Sequence, residues 1–322
     1  LTLAEISSIT ELLGTYKGEL AGLAAAASWA ITSLIFNRVP APAGAITLFK
    51  NVASCGFLFL ALLAFSLSPG STSPLAFLLE LSPEAWACLG LSSLAGLVIG
   101  DTFYFRSLQI LGPRRTLALS TLTPPIGVLC GWVLLGSVEA LPIVAWGGMA
   151  LTLVGVIWII REKGGEQEAS GVFPGSIKAG AWYGFLGCVG QAAAAALAKI
   201  PMNAGLSPLK ATFARMLIAI ALGTVIAAAN RKLSGWVHQL KDRRSWLPLL
   251  PASFLGTFLG VWLCMIAYQH TKLGVAITMH STSPIFVLPL AFFILRQRVS
   301  LRAIIGAIIA VAGIFLLFEK SR

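Results

Sequence analysis

Four ionisable side chains interrupt long apolar stretches of this sequence: Lys50, Asp101, Arg215 and His280. An ionisable residue in a stretch that is apolar enough to cross a membrane usually faces a polar interior and marks a functional site. A carboxylate in such an interior either takes up a proton or finds a cation. Asp101 is therefore a proton-coupling or cation-binding group, or it forms a salt bridge to Lys50 or Arg215 that fixes two helices together.

Lys50 and Arg215 are internal cations, and each follows a helix start that contains a proline, Pro42 or Pro208. Ammonium and guanidinium groups bind carboxylate and phosphate, so these residues are possible charge anchors for an anionic solute. In the alternative, the two side chains have a structural role or extend toward the membrane surface. The sequence leaves both interpretations open.

His280 lies in a polar run over 278–284 that ends in a proline, and a similar run over 120–125 ends in two. Proline frees a carbonyl one turn earlier, and nearby hydroxyls can satisfy that carbonyl. We predict two kinked segments that line a cavity and bend during gating. His280 itself is either a hydrogen-bonded structural residue or a proton relay. The predicted gating residues are Pro124, Pro125 and Pro284.

Aromatic rings with polar tips and neutral amides would complete such a cavity. Trp29, Tyr104 and Trp262 can stack on a ring or a cation, whereas in lipid they would anchor the chain near the headgroups. Gln191 needs partners for its amide, which either a solute or the protein can supply. The residues predicted to contact a solute are Trp29, Asp101, Tyr104, Thr121, Gln191, Trp262, His280 and Ser281.

The composition requires a membrane. Of the 322 residues, 57% are hydrophobic and 11% are charged, and the mean hydropathy is +0.87. The net charge of +11 comes mostly from short loops between apolar runs, which is typical of cytoplasmic loops and contacts with anionic lipid. We therefore expect no nucleic-acid partner. The five cysteines form no CxxC pair and have no histidine at ligand spacing, so the sequence predicts no metal site or cofactor.

Ten stretches meet the length of roughly 20 apolar residues that a spanning helix needs. Residues 1–16 precede them and predict a short surface segment, and the polar, Gly-rich residues 162–177 predict a linker. Apolar residues within 233–240 recur at helical spacing beside basic ones, which predicts a helix in the headgroup region. The predicted spans are approximately 18–37, 43–66, 85–108, 115–135, 141–160, 179–199, 209–229, 247–269, 274–295 and 302–318.

The two halves of the chain repeat each other, and each contains five predicted spans. An odd number forces the second half, 178–319, to enter the membrane from the opposite side to the first, 17–161. Inverted repeats of this kind are typical of secondary transporters, whose substrate site lies near the midplane between the halves. The matches are Ser93, Gly96, Gly100 and Gln109 with Ser253, Gly256, Gly260 and Gln269, Thr123, Pro125 and Ile126 with Thr282, Pro284 and Ile285, and Gly148 and Gly155 with Gly306 and Gly313.

These features resemble the EamA-type drug/metabolite transporter superfamily over nearly the whole chain. The resemblance consists of the ten-helix organisation, Trp29 in the first span, the basic residues Lys50 and Arg215, and the pattern Gly136-x-x-Glu139 before a Gly-rich fifth span. It implies solute export, uptake or exchange through a central cavity lined mainly by helices 1, 3, 4, 6, 8 and 9.

Two positions depart from the pattern of the superfamily. Gln297 stands where its members often have Glu, and Lys50 stands where they more often have Arg. Neither departure affects the predicted fold. Because the superfamily carries amino acids, nucleotide precursors, sugars and cationic compounds, the resemblance does not name a solute.

We predict an all-α integral membrane protein of ten transmembrane helices, arranged as two inverted five-helix repeats in the cell membrane. Its predicted function is secondary-active transport of a small polar or amphipathic metabolite by alternating access. The expected partners are that solute, membrane lipid, protons as a coupling ion, and a second copy of the chain. Loop Lys and Arg residues favour external termini, whereas the resemblance implies cytoplasmic termini, so the orientation stays open.

The alternative is an intramembrane enzyme that acts on a lipid-linked substrate. Such an enzyme needs a reactive constellation, and Asp101 with His280 is the only candidate in the sequence. The two residues come from different halves, and no nucleophile accompanies them. We therefore predict no catalytic residues.

Overall fold

The computed structural model describes residues 14–36, 39–66, 73–160, 175–283, 285–286, 290 and 301–320. Within these ranges the chain is helical and contains no strand. Most of the predicted surface segment 1–16 and of the linker 162–177 lies outside the described residues, as does Pro284. The principal helices are α1 (Lys17–Phe36), α2 (Ala43–Ser66), α3 (Pro83–Gly112), α4 (Thr123–Leu135), α5 (Ile143–Ile160), α6 (Ile177–Asn203), α7 (Pro208–Ala229), α8 (Arg243–His270), α9 (Leu273–His280) and α10 (Leu301–Lys320).

Five of these helices, α2, α3, α6, α7 and α8, are long and apolar enough to cross a membrane. Apolar helices of 10–17 residues occur within α4, α5 and α10. Large apolar side chains on the outer surface, such as Leu60, Trp132 and Phe315, are more than half exposed, as expected where lipid is the solvent. These findings confirm an all-helical membrane protein, whereas the count of ten spans stays a prediction.

Serine residues begin three of the helices. The hydroxyls of Ser82, Ser176 and Ser207 accept hydrogen bonds from backbone N–H groups three residues later. This contact satisfies a donor that the first turn leaves unpaired. Pro83 and Pro208 follow two of these serines, and the fixed φ of proline suits the first helical position.

Glycines let α5 and α10 pack closely and antiparallel. Gly148 faces Gly313, whereas Gly155 faces Gly306 and Ala310. As the residue number rises along one helix, the number of its contact falls along the other, so the two helices run in opposite directions. The glycines that recur between the halves thus contact each other.

Gly96 and Gly256, which match each other between the two halves, make a second pair of close contacts. Gly96 of α3 packs on Ala194 of α6, and Gly256 of α8 packs on Thr32 of α1. Each contact joins a helix of one half to a helix of the other half.

Two segments at matching positions are π-helical, Ser93–Gly100 in α3 and Ser253–Leu259 in α8. A π-helix has i→i+5 hydrogen bonds and is often found at functional sites. Gly96 and Gly256 lie within these wider turns, so their carbonyl oxygens can accept hydrogen bonds from neighbouring helices.

A turn interrupts the helices beside the proline-containing run of each half. The helical residues that precede α4 end at Ser120, and a turn at 121–122 separates them from α4. Pro124 and Pro125 occupy the first turn of α4. A matching turn at 281–282 follows α9. The helical structure is therefore interrupted at the same place in each half.

The apolar and basic residues of 233–240 form the expected short helix, Leu233–Leu240, in which no residue is fully buried. The indole of Trp236 lies against Gly44 at the start of α2. The helix thus rests on the end of the bundle with basic residues around it, and its location in the headgroup region remains a prediction.

We expect Gly155→Ala to destabilise the protein. An added Cβ would lie 2.6 Å from the carbonyl oxygen of Gly306, and overpacking of this kind costs about 1–3 kcal/mol. That cost outweighs the gain of about 1 kcal/mol in helix propensity. Thermal unfolding of the detergent-purified protein should show an apparent unfolding temperature several degrees lower.

Gly147→Ala is the matched control for this prediction. Gly147 lies in the same helix, and a Cβ there would meet no atom within 4 Å. Its unfolding temperature should stay constant or rise. Equal effects of the two substitutions would contradict the packing of α5 on α10.

Candidate functional site

A cavity of about 180 Å³ lies between the two halves of the bundle. Its lining runs from Tyr268 and Arg215 at one end to Phe36 and Leu108 at the other, where α1 and α3 end. Of the predicted solute contacts, six line it: Trp29, Asp101, Tyr104, Gln191, His280 and Ser281. Both possible charge anchors, Lys50 and Arg215, line it as well.

Asp101 is the centre of a polar network on the wall of the cavity. Its Oδ2 lies 2.5 Å from the Nζ of Lys50, and its Oδ1 accepts a hydrogen bond of 2.6 Å from the Nε2 of Gln191. Lys50 also donates to Asn51, whose amide donates to the carbonyl of Leu97. A salt bridge to Lys50 was one of the interpretations that the sequence left open for Asp101, and it is present. The pair joins α2 to α3, and the hydrogen bond from Gln191 joins α6 to them.

The two halves use equivalent positions to reach the π-helical segments. The Nε1 of Trp29 donates to the carbonyl of Gly256 at 2.7 Å, and the Nε2 of Gln191 donates to the carbonyl of Gly96 at 3.3 Å. Trp29 and Gln191 lie at similar depths in the first helix of each half. Both side chains therefore join the halves and face the cavity at the same time.

His280 is held by two aromatic neighbours. Its Nε2 lies 3.0 Å from the hydroxyl of Tyr268, and its ring meets that of Trp29 edge-on at 5.0 Å. The carbonyl of His280 accepts from the hydroxyl of Ser283. This arrangement supports the hydrogen-bonded structural interpretation of His280.

The hydroxyls at the two kinks donate to carbonyls one turn back along the helix. Ser120 donates to the carbonyl of Thr116 at 3.0 Å, and Ser281 donates to the carbonyl of Ile277 at 2.8 Å. Ser120 and Ser281 also line the cavity. The carbonyl that Pro284 would free is that of His280, four residues earlier, and it accepts a hydrogen bond of 3.0 Å from the hydroxyl of Ser283. For the second kink, a hydroxyl thus satisfies the freed carbonyl.

Two predicted residues lie away from the cavity. Thr121 is buried, and the lining contains its neighbours Ser120 and Thr123 instead. Trp262 packs beside the ring of Phe258. A single residue along a helix turns the side chain by about 100°, and the sequence alone did not determine which face looks inward.

A buried ion pair that the sequence did not reveal lies beyond the Tyr268 end of the cavity. The Nζ of Lys199, at the end of α6, is 2.6 Å from the Oε1 of Glu139. Lys199 also donates to the carbonyl of Thr271, and the backbone N–H of Leu273 donates to the Oε2 of Glu139. We call Glu139, Lys199, Thr271 and Leu273 the end cluster.

The end cluster joins the two halves, since Glu139 belongs to the first and the other three residues to the second. Lys199 is the last residue of the predicted span 179–199, and it is buried. The pattern Gly136-x-x-Glu139 was the available signal, although it gave no partner for the carboxylate. The equivalent Gln297 lies outside the described residues.

Comparison with known proteins identifies the family to which this chain belongs. The profile of the EamA-like transporter family matches residues 16–161 and 178–319, once for each half. The chain belongs to the EamA-like transporter family. It is therefore a multi-pass integral membrane protein, and the family indicates a transporter of small solutes.

One solved structure, described only as the crystal structure of a protein, superposes with a TM-score of 0.70 at 15% sequence identity. The match covers 95% of this chain and 98% of the other. Because the sequence identity is low, the match supports the fold alone. No curated protein matches the EamA-like chain.

We expect Lys50 and Asp101 to be energetically coupled. Removing one member of a buried ion pair leaves the other charge unpaired, which costs about 3–5 kcal/mol. Lys50→Met and Asp101→Asn should each destabilise the purified protein, whereas the double variant should be less destabilised than the sum. Unfolding of the four proteins in detergent measures this coupling. Additive effects would show that the ion pair contributes no stability of its own.

Proposed function

We propose that this protein is a secondary-active transporter that moves a small metabolite by alternating access, with ten spans arranged as two inverted repeats. The single observation that carries the proposal is the cavity between the halves, whose polar residues come from both. Transporters with inverted repeats bind substrate near the midplane, at the interface of the repeats. The predicted location is the cell membrane.

The antiparallel helix contacts support the inverted arrangement. α5 and α10 run in opposite directions, and α4 and α9 do the same, because Gly127 faces Ile277 whereas Gly131 faces Leu273. Equivalent helices of inverted repeats must pair in this way about a twofold axis in the membrane plane. Five spans in each half produce that inversion.

The end cluster is the closed gate in this proposal. Under the proposed topology α1 begins on the same side as the cluster, since Gly18 at the start of α1 packs on Thr271. The lining reaches the other side through Phe36, the last residue of α1. We therefore propose access from the side opposite the cluster, with the Glu139–Lys199 pair blocking the second exit.

Protons or a counter-solute supply the driving force in this proposal, and Asp101 is the acid among the described lining residues. Its carboxylate already contacts Lys50 and Gln191, so a proton that reached it would weaken both contacts. Protonation of Asp101 would thereby loosen α2, α3 and α6 relative to one another.

Flux in proteoliposomes tests the transport function. Solutes are first selected by their ability to raise the unfolding temperature of the purified protein. We expect a stabilising solute to enter protein-containing vesicles with saturable kinetics, and a pH gradient or the same solute inside to accelerate its entry. Vesicles without protein are the control. A chemical product formed by the purified protein, without flux, would instead favour the intramembrane enzyme.

We expect Glu139→Gln to open the end of the cavity that the cluster closes. The reporter is Ser281→Cys, a half-buried residue of the lining, treated with a membrane-impermeant thiol reagent in vesicles of either orientation. Before the gate substitution, labelling should occur from one orientation. With Glu139→Gln, labelling from the other orientation should rise several-fold, because Lys199 loses its ion-pair partner.

Glu84→Gln is the matched control, since it makes the same chemical change at an exposed position at the start of α3. It should leave labelling unchanged, and protein that retains Ser281 gives the background from native cysteines. If Glu139→Gln left the labelled side unchanged, the end cluster would not be the gate.

A further inference from the structure

We infer that the cavity binds a solute with a single carboxylate on a largely apolar body, and that the guanidinium of Arg215 holds the carboxylate. This inference rests on the proposed function, because it names the class of solute for the same cavity.

The two equivalent cations, Lys50 and Arg215, differ in whether an acidic partner is present in the described part of the chain. Lys50 of α2 forms its ion pair with Asp101. The position in the second half that matches Asp101 is Val261, because it directly follows Gly260 as Asp101 directly follows Gly100. The repeat therefore keeps the cation at Arg215 but places a hydrocarbon where its carboxylate would be.

Arg215 has no acid within ion-pair distance in the described part of the chain. Its side chain is buried, with the residue 3% exposed. The Nη1 lies 3.5 Å from the Sδ of Met265, a weak acceptor, and the Nε has no hydrogen-bond partner among the described residues. Arg215 nevertheless lines the cavity, so its donors can reach a bound molecule.

A buried guanidinium without an anion is energetically unfavourable. Arginine cannot escape that cost by deprotonation, since its guanidinium stays charged in proteins. Its planar fork matches the two oxygens of a carboxylate. A bound carboxylate would therefore supply the partner that the fold omits.

The charge of the lining favours one negative charge on the solute. Among the described lining residues, Lys50 and Asp101 neutralise each other, which leaves Arg215 as an excess of one positive charge, with His280 counted as neutral. Residues 284–300, which follow the described part of α9, contain no Asp or Glu. A phosphate monoester with two charges would leave one of them unpaired.

The remaining surface of the cavity suits an apolar body. Around the polar groups lie aromatic and aliphatic side chains, including Trp29, Phe105, Val261 and Ile277. A free ammonium group would find a poor site, because the carboxylate of Asp101 already accepts from Lys50 and Gln191. The lining thus disfavours cations and zwitterions relative to a monocarboxylate.

Probes that share one hydrocarbon body test this inference. Binding of 3-phenylpropionate, 3-phenylpropionamide, 3-phenylpropylammonium and 3-phenylpropyl phosphate is measured by calorimetry on the detergent-purified protein, in a buffer free of carboxylate and chloride and again with chloride. We expect the carboxylate to bind at least about thirty-fold more tightly than the amide, as the 2–5 kcal/mol typical of a buried charge pair implies. The ammonium should bind more weakly still.

Arg215→Gln should remove that preference, so that carboxylate and amide bind equally, whereas Arg215→Lys should keep part of it. Arg244→Gln, at an exposed position before α8 enters the bundle, should change nothing. If Arg215→Gln does not fold, the four probes on the unaltered protein and Arg215→Lys still decide the question.

Four outcomes would overturn the inference: equal binding of carboxylate and amide, tighter binding of the phosphate or the ammonium, chloride binding that displaces every probe, and an Arg215→Gln protein that keeps the carboxylate preference. The proposed transport function fails separately. Arg215-dependent binding without flux would contradict only the transport function. Flux of a neutral solute at a rate that Arg215→Gln does not change would contradict only the solute class.

Discussion

The absence of water in the hydrocarbon core is the constraint on which this structure depends. Every backbone polar group there must find its partner within the protein. The wider turns of the π-helical segments in α3 and α8 offer the carbonyls of Gly96 and Gly256 to other helices, and the side chains of Gln191 and Trp29 satisfy them. These two contacts join the halves of the chain, and the cavity lies between them.

The same constraint determines how the charged residues pair inside the bundle. Asp101 and Lys50 compensate each other on the cavity wall, and Glu139 and Lys199 do so beyond its Tyr268 end. Arg215 differs, since the repeat supplies Val261 where a carboxylate would belong. A duplicated fold that keeps a cation and loses its counter-charge gains a site that a ligand can complete. The asymmetry between the halves is therefore more informative about the solute than their similarity.

Much of the fold could be predicted because the membrane simplifies the problem. Apolar stretches identify helices, recurring glycines identify the duplication, and prolines that follow Ser and Thr residues identify the kinks near Ser120 and Ser281. Six of the eight predicted solute contacts reached the cavity for the same reason, since polar groups in these helices avoid lipid. Thr121 and Trp262 did not, because helix rotation is set by packing against neighbours.

The sequence by itself determined the solvent, the helical class, the duplication and the small set of polar residues that had to face inward. These properties follow from local composition and spacing, which act along the chain. Only the tertiary structure decided the partners: Asp101 took Lys50 rather than Arg215, Glu139 took Lys199, and Arg215 was left without an acid in the described part of the chain. Pairing over such distances depends on which helix faces meet, and those faces are fixed only when the two halves pack together.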